Sequence, residues 1–281
     1  MRATVLIENT APEGSGLAFE PGLSIYIEYN GKKILLDAGI SGKFAANAER
    51  LGVDLNAVEL AVLSHGHFDH ADGLREFFRQ NGEVRILHRP GAGGGYFSIS
   101  RTPPYFIGIH REIWEGHPER FQEVDGIYPL CEGAWLLPDG PVDPAFCGQA
   151  KDLVFKRGED DFVPDDFRHE QSLVFETEKG LVVFNSCSHS GIVNIVRGVQ
   201  SMLPGKKVYA VVGGFHMFGK NTPNGMNCSE AFVYQVADTL KELGVEEVYT
   251  GHCTGPEALA LLKERFGPGC HGLTGGLVFE F

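Results

Sequence analysis

The sequence predicts an α/β protein, and three observations carry that expectation. Short apolar runs alternate with amphipathic stretches over the first ninety residues, the pattern of a layered α/β fold. The alternation returns after residue 164. Several apolar runs end in a histidine or aspartate, at the strand edge where α/β folds place ligands.

Ala3–Glu8 and Leu23–Tyr29 read as strands, and Asn30-Gly31 before Lys32–Leu36 is a hairpin signal. Asp37 follows directly. Phe44–Leu51 reads as a helix and Leu60–Ser64 as a buried strand. His65–His70 reads as a loop, Gly73–Gln80 as a helix and Val84–His88 as a strand. From Pro90 to Pro164 the chain holds nine of its 15 prolines and the run Gly91–Gly95. Proline opposes long helices and central strands, so short strands and loops are expected there, as a lid. Gln171–Glu176 and Leu181–Asn185 read as a strand pair, then Ile192–Met202 as a helix and Val208–Val212 as a buried strand. Ser229–Leu243 is the longest amphipathic helix. Val245–Thr250 is a strand, Glu257–Phe266 a helix and Leu277–Phe281 a terminal strand.

Composition narrows the function classes. Hydrophobic residues make up 43% of 281 and charged residues 22%, a globular balance. With 24 basic and 37 acidic residues the net charge is −13, which argues against a nucleic-acid surface. No apolar run reaches the roughly 18–20 residues of a membrane span. The start has no long apolar stretch of the secretory type, so a cytoplasmic location is expected and no membrane partner. The expected partner is a small anionic molecule, held through a local positive charge such as a metal ion. Oligomeric state is not legible. Cys131, Cys147, Cys187, Cys228, Cys253 and Cys270 form no C-x-x-C pair and read as reduced thiols. Cys187 and Cys253 stand out because each lies next to, or two residues from, a histidine.

The string Ser64-His65-Gly66-His67-Phe68-Asp69-His70 carries the chemistry. Imidazole and carboxylate donors suit zinc, iron or manganese. So many donors in so short a turn are most naturally divided between two neighbouring ions, His65 and His67 on one, Asp69 and His70 on the other. Gly66 removes a side chain where the loop must fold back. His189, His216 and His252 each follow an apolar strand and are candidates to complete the site. His110, His117 and His271 read as surface loop residues, and His88 is left open. One or two divalent transition-metal ions are the expected cofactors, zinc foremost, with iron or manganese as alternatives.

In order, Asp37, the His65/His67/Asp69/His70 string, a central histidine and a late strand–histidine resemble the metallo-β-lactamase superfamily, from end to end of the chain. Cys187-Ser188-His189-Ser190-Gly191, Gly213-Gly214-Phe215-His216 and Gly251-His252-Cys253-Thr254-Gly255 are similar to one branch. That branch comprises the 7,8-dihydropterin-6-methyl-4-(β-D-ribofuranosyl)aminobenzene-5′-phosphate synthases and related metal-dependent hydrolases. The resemblance implies an αββα four-layer sandwich, a single domain over 1–281 with a Pro/Gly-rich insertion at about 90–164, and a hydrolase or transferase acting on a small phosphorylated, pterin-related substrate. It implies that Asp37 orients a metal-bound histidine. Many superfamily members carry a bridging aspartate where this chain has Ser186-Cys187, and the branch reads as an acidic pair at His169-Glu170.

His65 and His67 leave the first ion short of a protein donor, for which His169 and His189 compete. His169 lies in an acidic stretch holding Asp160, Asp161, Asp165 and Asp166. His189 lies among small residues that let the backbone approach closely, before a helix N-terminus that favours an anion, and is the preferred ligand. His252 would complete the Asp69/His70 side. Asp69 and His216 are the candidate catalytic residues, His216 for substrate contact or proton transfer, with Cys187 near the centre. An iron- or zinc-binding redox or sensor protein without hydrolytic activity is the alternative reading.

Overall fold

The structure, a computed structural model, describes residues 1–147, 150–159, 161–220 and 222–281. Asp160 of the acidic stretch lies outside the described residues. Packing divides the chain into two compact units: Met1–Asp125 with Ala150–Glu170 and Thr274–Glu280, and Gly126–Gln149 with Gln171–Leu273 and Phe281.

The first unit is built on a seven-stranded sheet in the order Val278–Glu280, Arg2–Ile7, Ser24–Tyr29, Lys32–Leu36, Leu60–Val62, Ile86–His88 and Phe121–Glu123. The first four strands pair antiparallel and the rest parallel. The hairpin lies where Asn30-Gly31 predicts it, with φ of 47° and 75°, the left-handed pair that a two-residue turn needs. Helices Lys43–Arg50 and Leu74–Gln80 bring Phe44, Ala45, Ala48, Leu74 and Phe77 onto Leu6, Leu35, Ala61 and Leu63. Asn47 is buried in that layer. Its amide donates to the carbonyls of Leu6 and Ala18 at 2.7 and 2.8 Å and accepts from the Ala18 amide at 2.8 Å. A small sheet, Phe162–Pro164, Leu153–Lys156, Tyr96–Ser98 and Tyr105–Phe106, completes the unit.

The second unit holds a seven-stranded sheet in the order Cys270–Gly272, Glu247–Thr250, Val208–Gly213, Gly180–Phe184, Gln171–Thr177, Ala134–Pro138 and Tyr128–Cys131. The four strands from Gly180–Phe184 to Cys270–Gly272 run parallel. Helices Ile192–Met202, Glu230–Glu242 and Pro256–Phe266 pack Val193, Val196, Val236, Leu240 and Leu262 onto Leu181, Val183, Val211 and Val248. Ser229 caps the second of these helices, its Oγ accepting from the Phe232 amide at 3.2 Å.

The segment 90–164 supplies short strands to all three sheets. In Ala134–Pro138, Ala134, Leu136 and Leu137 are buried, while Pro129 sits on the edge strand, where a missing amide is tolerated. Gly148, Gln149 and Asp160 of that segment lie outside the described residues. The stretch expected as a loop at His65–His70 contains a helical turn, Phe68–Ala71, that starts from the extended backbone of His67. His271 lies on a strand, Cys270–Gly272, and its Nε2–H donates to the Glu247 carboxylate at 2.8 Å. That strand is three residues long and flanked by glycine, so no periodicity marks it.

Candidate metal centre

In the first unit the donor cluster grows from two adjacent parallel strands. Lys32–Leu36 delivers Asp37 and Leu60–Val62 delivers Ser64 and His65. Asp37 has a φ of 58°, a left-handed conformation costly for a non-glycine residue and typical of functional sites. Its carboxylate accepts from the Ser64 amide at 2.7 Å, the Ser64 hydroxyl at 2.7 Å and His70 Nδ1 at 2.8 Å. Ser64 Oγ also lies 2.8 Å from His65 Nδ1. A hydroxyl has one proton, and the carboxylate has none to give. The hydroxyl proton therefore goes to Asp37, and His65 Nδ1–H donates to Ser64 Oγ. Both His65 and His70 are thereby held with the proton on Nδ1 and the lone pair on Nε2.

This is the tautomer that a metal-binding imidazole needs. His65 and His70 are fully buried and His67 is 4% exposed. The His65 ring centroid lies 4.6 Å from that of His67 and 4.3 Å from that of His70, and Asp69 Oδ2 is 3.6 Å from His70 Nε2. Three imidazoles packed together in a dry site fit a divalent cation as their common partner.

Gly66 gives the loop its path. A Cβ there would fall 2.1 Å from the Ala92 carbonyl oxygen, so no other residue fits. The Gly66 amide donates to His169 Nδ1 at 2.9 Å, and His169 Nε2 faces Asp165 Oδ2 at 3.1 Å. Since Nδ1 accepts, Nε2 carries the proton and donates to Asp165. Both nitrogens of His169 thus have protein partners, although His67, Asp165 and His169 bring donor-type atoms within 4.8 Å of one another. The Tyr96 ring packs at a tilt against His169, with centroids 4.1 Å apart. Burial first, then the charge of Asp165, pushes its phenol well above the usual range, so it stays neutral.

In the second unit three loops follow consecutive parallel strands, and each holds a non-glycine residue at positive φ: Ser188 at 51°, His216 at 49° and His252 at 48°. Together with Asp37 these are four of the six such residues described, and all four lie just past a strand's C-terminal end. The His189 and His216 rings are 4.5 Å apart. The His216 amide donates to Cys253 Sγ at 3.3 Å, and its carbonyl accepts from Asn227 at 3.0 Å. Its Nδ1 is buried without a hydrogen-bond partner among the described residues. Cys187 Sγ and Cys253 Sγ are 3.5 Å apart, and Cys187, His252 and Cys253 bring donor atoms within 4.8 Å of one another. Burial pushes the Cys253 thiol up, but Cys187, His252 and His216 outweigh it and hold the thiol well below its ordinary value.

The remaining histidines have structural partners. His88 Nδ1 donates to the Arg89 carbonyl at 2.9 Å, and its ring packs on Trp114. His110 pairs with Asp72 and precedes a short helix, Arg111–Trp114. His117 begins the 3-10 turn Pro118–Arg120 and its ring lies 5.1 Å from Phe78. Two functional residues escaped the sequence reading. Ser64 was legible only as the residue before the motif, and Asp165 only as one acid among several four positions before His169.

Comparisons with known proteins show the family and the fold. The sequence profile of the metallo-β-lactamase superfamily matches residues 17–196. The chain is 30% identical, over 98% of its length and 95% of the relative's, to a 7,8-dihydropterin-6-methyl-4-(β-D-ribofuranosyl)-aminobenzene-5′-phosphate synthase from Methanocaldococcus jannaschii. A crystal structure of a metal-dependent hydrolase of the β-lactamase superfamily superposes with a TM-score of 0.80 at 28% identity, covering 100% of this chain and 99% of that one. Zinc-bound PqqB from Methylobacterium extorquens shares the fold, with a TM-score of 0.59 at 13% identity over 100% of both chains. The buried histidine string, its aspartate-fixed tautomers and a profile match over more than half the sequence make this chain a member of the metallo-β-lactamase superfamily, with the fold of that family.

Proposed function

We propose that this protein is a metal-dependent hydrolase or transferase acting on a small phosphorylated, pterin-related substrate. The observation that carries the metal dependence is the Asp37–Ser64 network, which holds His65 and His70 with the proton on Nδ1, the tautomer that ligates a cation through Nε2. His65 and His67 hold one ion, and Asp69 and His70 hold the other. Both His169 nitrogens are engaged by Gly66 and Asp165, which argues against His169 as a further donor and keeps the sequence-based preference for His189. Zinc is the expected metal. Bound there, it would neutralise substrate phosphate charge and make a nearby water more acidic.

The chain's own residues then have separable tasks. Asp37 and Ser64 keep the imidazoles in one tautomer and orientation. Asp69, whose side chain is 24% exposed, combines a carboxylate with access from outside and serves to orient and deprotonate the attacking group. His216 offers a buried Nδ1 suited to substrate contact or to passing a proton to the leaving group. With a net charge of −13, the protein has little general attraction for a phosphate, so recognition depends on this local positive charge.

The 30% identity to a pterin-related synthase over 98% of the chain supports the pterin-related substrate. The test is incubation with a dihydropterin bearing a 6-methyl diphosphate and 4-(β-D-ribofuranosyl)aminobenzene 5′-phosphate. Diphosphate release with formation of the conjugate, both abolished by a chelator, is the expected result. Absence of both removes the synthase reading and leaves phosphoester hydrolysis to be assayed.

A further inference from the structure

Cys187 and Cys253 sit 66 residues apart in sequence, yet their sulfurs are 3.5 Å apart. They arrive from the loops that follow strands Gly180–Phe184 and Glu247–Thr250. The backbone is shaped to hold them there. Gly214 stands where a Cβ would come within 2.4 Å of Cys253 Sγ, so any side chain at 214 would displace that sulfur. The His216 amide donates to Cys253 Sγ, and Cys253 Sγ lies 3.6 Å from the Cys187 carbonyl. The proposed hydrolytic or transfer chemistry does not use this dithiol.

We propose that Cys187 and Cys253 are a modification site, a dithiol that a peroxide converts to an intramolecular disulfide. Cys253 is half-buried and Cys187 is 3% exposed, so Cys253 reacts first. Its sulfur attacks one peroxide oxygen and breaks the O–O bond, giving a sulfenic acid and, after proton transfer, one water. The Cys187 sulfur then attacks the sulfenic sulfur, forming the S–S bond and releasing the hydroxyl, which leaves as a second water with the Cys187 proton. Two thiols are oxidised by two electrons and one peroxide is reduced to two waters, so the step balances. Bonded sulfurs lie about 2.05 Å apart, and side-chain rotation with a small approach of the two loops closes the remaining gap. Burial pushes Cys228 and Cys270 each up to about 11 and raises Cys147 as well, which leaves little thiolate at these three. The loop bearing Cys187 also carries His189, and Cys253 follows His252, so oxidation would strain the backbone beside both histidines.

The test uses the purified full chain treated with hydrogen peroxide at a small molar excess, then denatured for thiol titration and peptide mass mapping. Accessible thiols are expected to fall from six to four, with one cross-linked peptide pair containing Cys187 and Cys253 that dithiothreitol separates. In a Cys187→Ser variant the cross-link should vanish and dimedone should label Cys253 as a trapped sulfenic acid. Recovery of Cys187 and Cys253 as free thiols, or as separate sulfinic acids without a cross-link, overturns the proposal in the wild-type chain, whatever the variant's folding. Dimedone labelling of another cysteine in the variant, with none at Cys253, overturns the order of reaction.

Discussion

Asp37 accepts three hydrogen bonds, two from Ser64 and one from His70, and through them sets the tautomers of two proposed ligands. Asp37→Asn presents an amide where those donors need an acceptor. Metal affinity is expected to drop about 10–100-fold, measured by competition with a chromophoric chelator; an unchanged affinity would reduce Asp37 to a structural role. His169 makes the opposite case. His169→Asn keeps an acceptor near the Gly66 amide and is expected to retain full metal content. His169→Leu removes the acceptor of the Gly66 amide and the ring donor to Asp165 Oδ2, at a cost of roughly 1–3 kcal/mol for the buried amide alone. Loss of one metal equivalent in His169→Asn, with full content in His189→Ala, would reverse the assignment of the third ligand.

At the scale of elements, what could be read from the sequence followed from how local the signal was. The Asn30-Gly31 turn, helix Ile192–Met202 and the His65–His70 cluster are encoded within a few neighbouring residues, and the structure places each of them as secondary structure or a buried donor group. The task of His169 was not legible, because its partner Gly66 lies 103 residues away. Nor was the allotment of Tyr128–Cys131 and Ala134–Pro138 to the second sheet, since proline content reports what a segment avoids and not which sheet it joins. Asn47 shows how one buried side chain ties an element down. It links helix Lys43–Arg50 to Leu6 and Ala18 through three hydrogen bonds. Asn47→Ala strands those backbone groups and is expected to destabilise the protein by about 2–3 kcal/mol, visible as a lower denaturation midpoint with metal loading held constant.

For the molecule as a whole, stability should depend on pH through His88. Its ring is buried against Trp114 and Phe121, and burial lowers its pKa below 6.5 despite the Arg89 carbonyl. The folded state therefore holds His88 neutral at pH values where the unfolded chain already binds a proton. The contribution is complete above about 6.5, shrinks as pH falls below that value, and levels off beneath the folded pKa. Replacing His88 by Phe should flatten the stability curve just below about pH 6.5, measured by denaturant titration; an unaltered slope would show that other groups set it.

The most direct measurement is the metal content of the protein as purified, beside that of the His65→Ala/His67→Ala double variant. Elemental analysis is expected to find at least one transition-metal ion per chain in the wild type and loss of metal in the variant, with far-ultraviolet circular dichroism showing both chains folded. A folded double variant with unchanged metal content would contradict the assignment of this histidine string as the metal centre.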